Sequence, residues 1–432
     1  MVAIAWAATA QTAAAQGDEP LFDPNTCRDS ALIDEAALKA YQGKPSRQFR
    51  ESIRKDRIDD ATKENLAQAA DYYAFILTTE EGRKNAVEPM KEVMRTYGLR
   101  SELEARRYFL GLLVDRLRIV AAQCDVGDRM NALLFLSQLD EADADNKRGT
   151  PAVPFWPAGD VMLDMIENPN ELAEVKVRAA RGLARIFADS DAPRDEYDQL
   201  FRRTVAALEA LNAGSLPYNN GQGYEWWLAA HLIEALGEVD SPTNLLLEPI
   251  GIRVLLDVLN DPQKDDFLRA RAARALSKIP YSEGSGFDIQ PIVAAQMAFF
   301  REWVDRYNEQ PLLWTNRHVV SDMYFSFKPE SREQFEDGDG WLAQVNESSQ
   351  RNAAGPVRAA FDVVKPIFAS IIQQKTLDQE PLDRNAGAAI VKWLSENPIS
   401  TTVHPRIPKF EISLPQPAGE AAAATDAAAA AR

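Results

Sequence analysis

The sequence predicts an all-α protein, mostly an α-solenoid of stacked helical hairpins. Residues 161–186 and 254–279 align without a gap at a constant offset of 93 residues, so that Arg178 aligns with Arg271. In each copy the end of one helix leads through a polar turn that contains a proline into a second helix. Internal repeats of this kind are typical of stacked helical hairpins. No alternation of apolar and polar residues persists long enough to predict a sheet.

A third hairpin is predicted between these two twins. Ala229-Ala230 follows Ala179-Ala180 by 50 residues and precedes Ala272-Ala273 by 43 residues. Helical-hairpin repeats have periods of roughly 40–47 residues, and the longer spacing here contains the polar loop 214–223. From these patterns we predict that the whole chain divides into five segments: a signal-peptide-like segment at 1–15, a linker at 16–30, a helical N-terminal capping region at 31–157, the solenoid at 158–400 and a disordered Pro/Ala-rich tail at 401–432.

The first residues indicate export. Residues 2–15 are small and apolar, and Ala13 and Ala15 offer a small-x-small cleavage site before Gln16. This is typical of the second half of a signal peptide. We therefore expect a periplasmic or extracellular protein whose mature chain starts near Gln16, although a basic n-region is missing from the sequence given. The alternative is a disordered alanine-rich terminus on a cytoplasmic protein.

Composition restricts the partners and cofactors. The chain has 48 Lys and Arg against 65 Asp and Glu, a formal net charge of −17. This charge disfavours nucleic acid and anionic membranes as main partners, because both are polyanions. No apolar run is long enough to predict a transmembrane span. The three histidines have no metal-ligand spacing, so neither a metal nor another cofactor is predicted. Cys27 and Cys124 permit one disulfide in an exported protein, or are two separate buried thiols.

The second helix of each twin carries a basic stripe. Helical spacing places three cations on one face in each copy: Arg178, Arg181 and Arg185, then Arg271, Arg274 and Lys278. One interpretation is a site for an anion or an acidic partner. The other is that each arginine bridges to an acidic group on its own or an adjacent repeat, such as Asp164 or Asp257. We favour the second interpretation, in which the stripe stabilises the stack, because the chain has an excess of acid.

Aromatic residues surround the loop 214–223 and form a second candidate binding site. They are Tyr218, Tyr224, Trp226 and Trp227. Aromatic faces suit sugars or peptides, and Glu225 would be the candidate acid of a glycosidase. The alternative is that both tryptophans belong to the apolar core at the start of a helix. No nucleophile elbow, metalloprotease motif or phosphate-binding loop accompanies them, so no catalytic residue is assigned.

The twin motif resembles HEAT-like repeats of the armadillo-type superhelix. It combines an apolar helix, an Asn-Pro or Asp-Pro turn and the sequence V-R-A-A or A-R-A-A, and it covers 161–279 best. The resemblance implies a rigid scaffold that binds macromolecules, usually proteins, without shared catalytic residues. We therefore expect a non-enzymatic exported scaffold of bacterial type, bound to a protein through Arg178, Arg181, Arg271, Arg274 or the aromatic residues. The alternative is a carbohydrate-binding or carbohydrate-active protein on an α/α toroid.

Overall fold

The computed structural model confirms an all-α fold, and helices predominate in the residues that it describes. The chain divides into two compact units, residues 1–132 and residues 133–432. The described residues are 32–33, 35–55, 57–85, 91, 93, 103–144, 149–214, 225–281, 286–309, 315–329, 339–346, 350–373, 382, 384–397 and 402–409. No helix among these residues is long and apolar enough to cross a membrane.

The first unit is a small group of helices around an aromatic core. Its helices are α1 (Glu35–Tyr41), α2 (Lys44–Ser52), α3 (Asp60–Phe75), α4 (Glu80–Lys84) and α5 (Leu103–Gln123), and α6 (Val126–Leu136) begins in it. Helix α3 packs against α2 and α5. It starts where Asp59 accepts a hydrogen bond of 2.7 Å from the Thr62 N–H, which satisfies an amide that has no partner within the helix. Phe49 and Phe109, both fully buried, join α2 to α5 with ring centroids 4.8 Å apart.

The second unit begins with a two-stranded antiparallel ladder and continues with helices. The strands are β1 (Asp140–Ala142) and β2 (Val153–Pro154). The helices are α7 (Pro157–Glu167), α8 (Ala173–Asp189), α9 (Arg194–Asn212), α10 (Glu225–Gly237), α11 (Ile250–Asn260), α12 (Asp266–Lys278), α13 (Gln290–Glu309), α14 (Thr315–Phe327), α15 (Trp341–Asn346), α16 (Ala354–Gln373) and α17 (Arg384–Glu396).

Packing in the second unit follows the order of the predicted hairpins. Helix α7 packs on α8, α9 on α10, and α11 on α12. The first helices α7, α9, α11 and α13 contact one another in sequence order, and so do the second helices α8, α10, α12 and α14. The last pair departs from this order, because α16 packs on α14 while α17 packs on α13.

The apolar face predicted for the twins is confirmed. Leu183 in α8 and Leu276 in α12, equivalent in the repeat, both have no exposed surface. Small residues permit a close approach between second helices: a Cβ added to Gly237 of α10 would lie 2.8 Å from Cα of Ala275. The apolar periodicity of the repeat therefore identifies the buried side of these helices correctly.

The division between the two compact units falls after residue 132, within the predicted N-terminal region 31–157, and strand β2 of the second unit contacts α8. Arg185 of α8 contacts the Asp140 carboxylate and donates to the Ser137 carbonyl oxygen at 3.0 Å. The predicted tail is also ordered over residues 402–409, where Val403 and Ile407 are buried. Its remainder, like the segments 1–15 and 16–30, lies outside the described residues.

Candidate functional site

The basic stripe of α12 is paired with acid from the neighbouring helix α14. Asp322 of α14 accepts from Arg271 Nε at 2.8 Å and from Arg274 Nη1 at 3.1 Å. Only 3% of the Asp322 side chain is exposed, so this carboxylate depends on the two guanidinium groups to compensate for lost hydration. Sequence analysis missed Asp322, because residues 51 and 48 positions apart show no local spacing signal.

The other neighbour of α12, helix α10, and the residue that follows it supply two more acids. Glu234 lies 3.5 Å from Arg271 and 3.1 Å from Nδ1 of His231, and Lys278 contacts Glu238. The hydrogen bond with His231 and the charge of Arg271 lower the pKa of Glu234 below its ordinary value. The stripe of α12 therefore joins three consecutive second helices electrostatically.

The acceptors suggested from the sequence, Asp164 and Asp257, are not the partners of the stripe. Asp164 accepts a hydrogen bond of 2.8 Å from Arg203, which also contacts Glu167. Asp257 is exposed on a first helix, α11. Both aspartates belong to first helices, whereas the stripe faces neighbouring second helices. The expectation of inter-repeat bridging therefore holds for α12, but with different acids.

The equivalent stripe of α8 differs from that of α12. Arg185 pairs with Asp140, as described above, but neither Arg178 nor Arg181 forms an ion pair with any carboxylate in the described part of the chain. Arg178 is half-buried and Arg181 is exposed. Burial and the charge of Arg181 lower the pKa of Arg178, as expected of two cations side by side. Helix α8 thus presents two cations that the described fold does not neutralise.

The tryptophans lie on the neighbouring helix α10, and they are not core residues. Trp226 is half-buried, and Trp227 is 39% exposed and stacks on it with ring centroids 4.1 Å apart. Trp226 meets Phe267 of α12 edge-on at 5.5 Å, and Phe267 in turn meets His318 of α14 at 5.7 Å. Tyr218 and Tyr224 lie outside the described residues, so their place in this aromatic row stays a prediction.

Arg178, Arg181 and Trp227 define what we name the basic-aromatic patch. Its residues belong to α8 and α10, which pack side by side. Guanidinium groups pair with anionic groups, and an exposed indole offers a face for an apolar or planar group. The described residues contain no cluster of histidine, cysteine and carboxylate side chains that would hold a metal ion. Glu225 is exposed in the first turn of α10.

Cys124 is buried and is not a free thiol. Cys27 lies outside the described residues, and a bond between these two cysteines stays a prediction.

The fold defines the class of this protein as all-α, and helices α8 and α10 carry charged and aromatic side chains. Comparison with protein-family models, with curated proteins and with solved structures finds no match. The function is therefore argued from the chain's own residues.

Proposed function

We propose that this protein is a non-enzymatic, exported scaffold that binds another protein through the basic-aromatic patch. Two observations carry the proposal: Arg178 and Arg181 form no ion pair with a carboxylate among the described residues, and Trp227 is exposed on the adjacent helix α10. In a chain with a net charge of −17, cations without an acidic partner are unexpected. Their twins Arg271 and Arg274 share a buried carboxylate.

The architecture proposed for the scaffold is a HEAT-like α-solenoid. Support comes from the consecutive packing of second helices α8, α10, α12 and α14, alongside consecutive packing of first helices. Arrays of this kind present a continuous surface of side chains from successive repeats, which suits binding of an extended partner. The resemblance of the twin motif to HEAT-like repeats agrees with this arrangement.

The chemistry of the patch predicts an acidic partner segment with an aromatic or apolar residue. Guanidinium groups bind carboxylates in a bidentate geometry, and half-burial of Arg178 strengthens this interaction relative to one in open solvent. Trp227 adds apolar area beside the charges, and tryptophan and arginine are enriched among residues that dominate binding energy. Because the charges are partly exposed, we expect binding to weaken with added salt.

A pull-down with matched variants tests the proposal. The protein and the variant R178A/R181A/W227A are used as bait in envelope extract, and retained proteins are identified by mass spectrometry. Arg253→Ala is the control, because it removes a half-exposed arginine on a first helix that pairs with Glu209. A specific partner should be retained by the parent and the control and lost from the triple variant. A partner retained equally by all three proteins contradicts the assignment of the patch.

Export is tested separately by N-terminal sequencing of the native protein. We expect a mature chain that starts near Gln16 and is recovered from the envelope fraction. Recovery of intact Met1 from the cytosol would refute export without affecting the patch.

The exposure of Trp227 also favours a second candidate function, binding of a glycan. Sugar rings stack on exposed indoles, and Trp226 behind Trp227 keeps the ring in place. Titration of oligosaccharides against tryptophan fluorescence distinguishes the two functions. Saturable quenching that W227A abolishes and R178A/R181A leaves unchanged would favour the glycan.

A further inference from the structure

The loop between α10 and α11 exposes three consecutive leucines. Leu245, Leu246 and Leu247 are 49%, 59% and 64% exposed, and these values are among the highest for large apolar side chains in the described residues. Single exposed leucines are ordinary, but contiguous apolar surface on a soluble protein marks a site of interaction. This loop belongs to neither the basic stripe nor the basic-aromatic patch.

Hydrogen bonds hold the loop in one conformation. The Asn244 side chain accepts from the N–H groups of Leu246 at 3.0 Å and Glu248 at 2.8 Å. The N–H of Leu245 donates to the Asp198 carboxylate at 2.7 Å. From the segment 402–409, Arg406 donates to the carbonyl oxygens of Leu246 and Leu247, each at 2.8 Å. A loop fixed in this way loses little conformational entropy when a partner binds.

The backbone of Leu247 adopts a conformation that leucine disfavours. Its φ of +59° lies in the left-handed region, and no other non-glycine residue in the described chain has a positive φ. A leucine in this region brings its Cβ close to the following carbonyl oxygen, a strain that glycine or asparagine would reduce. The sequence therefore keeps a strained, exposed apolar side chain where a small polar residue would be more stable.

A cleft lies beside the leucines, and its lining is mainly acidic among the charged residues. Its volume is about 370 Å³, and its lining includes Leu245 and Leu247 together with Phe201 and Val239. Its charged lining residues are three aspartates and one arginine: Asp191, Asp198, Asp240 and Arg194. Asp198 is buried and pairs with Arg202, whereas Asp191 and Asp240 are exposed.

We propose that this loop and cleft bind a segment of another protein in which apolar residues stand next to a lysine or arginine. The leucines supply apolar contact, and Asp191 and Asp240 attract the basic residue into the cleft. The same carboxylates, with Glu248 at the base of the loop, repel anionic lipid headgroups. They also disfavour a second copy of this chain, whose own surface is acidic. The site is independent of the basic-aromatic patch, which takes the opposite charge.

Synthetic peptides test the proposal on the full chain. The probe is a short fluorescent peptide of leucine and lysine, and a leucine–glutamate peptide and a serine–lysine peptide are its controls. Fluorescence anisotropy should show saturable binding of the leucine–lysine peptide alone. The variant L245S/L246S/L247S should weaken this binding by at least about tenfold, because clustered apolar contacts dominate such interfaces. Leu103→Ser, at a half-exposed leucine of the other unit, should have no effect.

A second variant separates loss of the site from loss of the fold. D191N/D240N keeps the leucines and should weaken binding several-fold with a shallower dependence on salt. Circular dichroism melts should show both variants folded. Equal binding by the triple variant, or no saturable binding at all, overturns the proposal. So does binding of the glutamate peptide, of phosphatidylcholine–phosphatidylglycerol vesicles, or of a second copy that depends on the same leucines.

Discussion

Helices α8 and α12 are twins in sequence, yet the structure places them in different electrostatic surroundings. Both bury the equivalent leucines, Leu183 and Leu276, completely. In α12, Asp322 compensates for Arg271 and Arg274, whereas no described carboxylate compensates for their counterparts in α8. The repeated apolar positions are therefore buried in the same way in both helices. The repeated arginines, in contrast, form ion pairs only where a neighbouring helix provides an acidic side chain.

The neighbours explain the difference. Helix α12 lies between α10 and α14. Glu234 of α10, Glu238 just after α10 and Asp322 of α14 contact its cations. Helix α8 has α10 on one side and contacts the ladder strand β2, and Asp140 of β1 pairs with Arg185. The stripe of α12 is thus held in ion pairs with neighbouring helices. In α8, Arg178 and Arg181 have no such pair among the described residues.

Replacing the equivalent leucines should have the largest effect and should not distinguish the twins. Leu183→Ala and Leu276→Ala should each lower the free energy of unfolding by roughly 2–5 kcal/mol, because each leaves a cavity. Urea denaturation monitored by circular dichroism measures both. A loss below about 0.5 kcal/mol in either variant would mean that its helix face is not part of the core.

Removing the shared carboxylate should destabilise only the α12 twin. Asp322→Ala should cost about 3 kcal/mol, because it removes the buried carboxylate that both Arg271 and Arg274 contact. Asp257→Ala, which removes an exposed aspartate of α11, is the control and should cost less than about 0.5 kcal/mol. Equal effects in the same denaturation experiment would show that Asp322 does not stabilise the stack.

The close contacts of the twins also differ, and alanine substitutions probe them. A Cβ at Gly237 would lie 2.8 Å from the Ala275 backbone of α12, which cannot move alone, so Gly237→Ala should cost about 1–3 kcal/mol. A Cβ at Gly182 of α8 would lie 2.6 Å from the sulfur at the flexible end of Met162 and 3.2 Å from Cβ of Ser137. Gly182→Ala should therefore cost less than Gly237→Ala, since the end of Met162 can shift and helix propensity offsets part of the adjustment. The opposite ranking in thermal melts would contradict this packing.

Neutralising one arginine in each twin tests which of the two arginines stabilises the fold. Arg274→Gln should cost about 1 kcal/mol, because it breaks a hydrogen bond to a buried carboxylate. Arg181→Gln should leave the unfolding free energy unchanged within about 0.5 kcal/mol, because its guanidinium is exposed and has no described carboxylate partner. Differential scanning calorimetry at low and high salt measures both. An equal loss in the two variants would mean that both stripes are structural.

The smallest expected effect is a pH dependence due to Glu234. Because its pKa in the folded protein lies below the ordinary value of 4.5, folding favours the ionised form. The stabilisation is present above the unfolded pKa and is lost as pH falls through the folded pKa. Unfolding free energies of the parent and Glu234→Gln should therefore converge as pH falls below the folded pKa of Glu234. A constant difference across this range would show that Glu234 has the same pKa in both states.

The sequence by itself determined the local features of this protein. The repeat of apolar positions predicted an all-α fold and the burial of Leu183 and Leu276, because helical periodicity decides which side of a helix avoids water. It also placed Arg178, Arg181 and Arg185 on one helix face, but it left open whether Trp227 is buried or exposed. These features depend on residues within a few turns of one another.

Only the tertiary structure decided which charges are paired and which apolar groups stay exposed. Asp322 lies 48 residues from Arg274, and Arg406 lies 160 residues from Leu246, so no local pattern links them. The sequence placed 402–409 in a disordered tail, but burial of Val403 and Ile407 orders this segment. The physical reason is that ion pairing and burial depend on distances between side chains, and folding sets those distances between helices far apart in the chain.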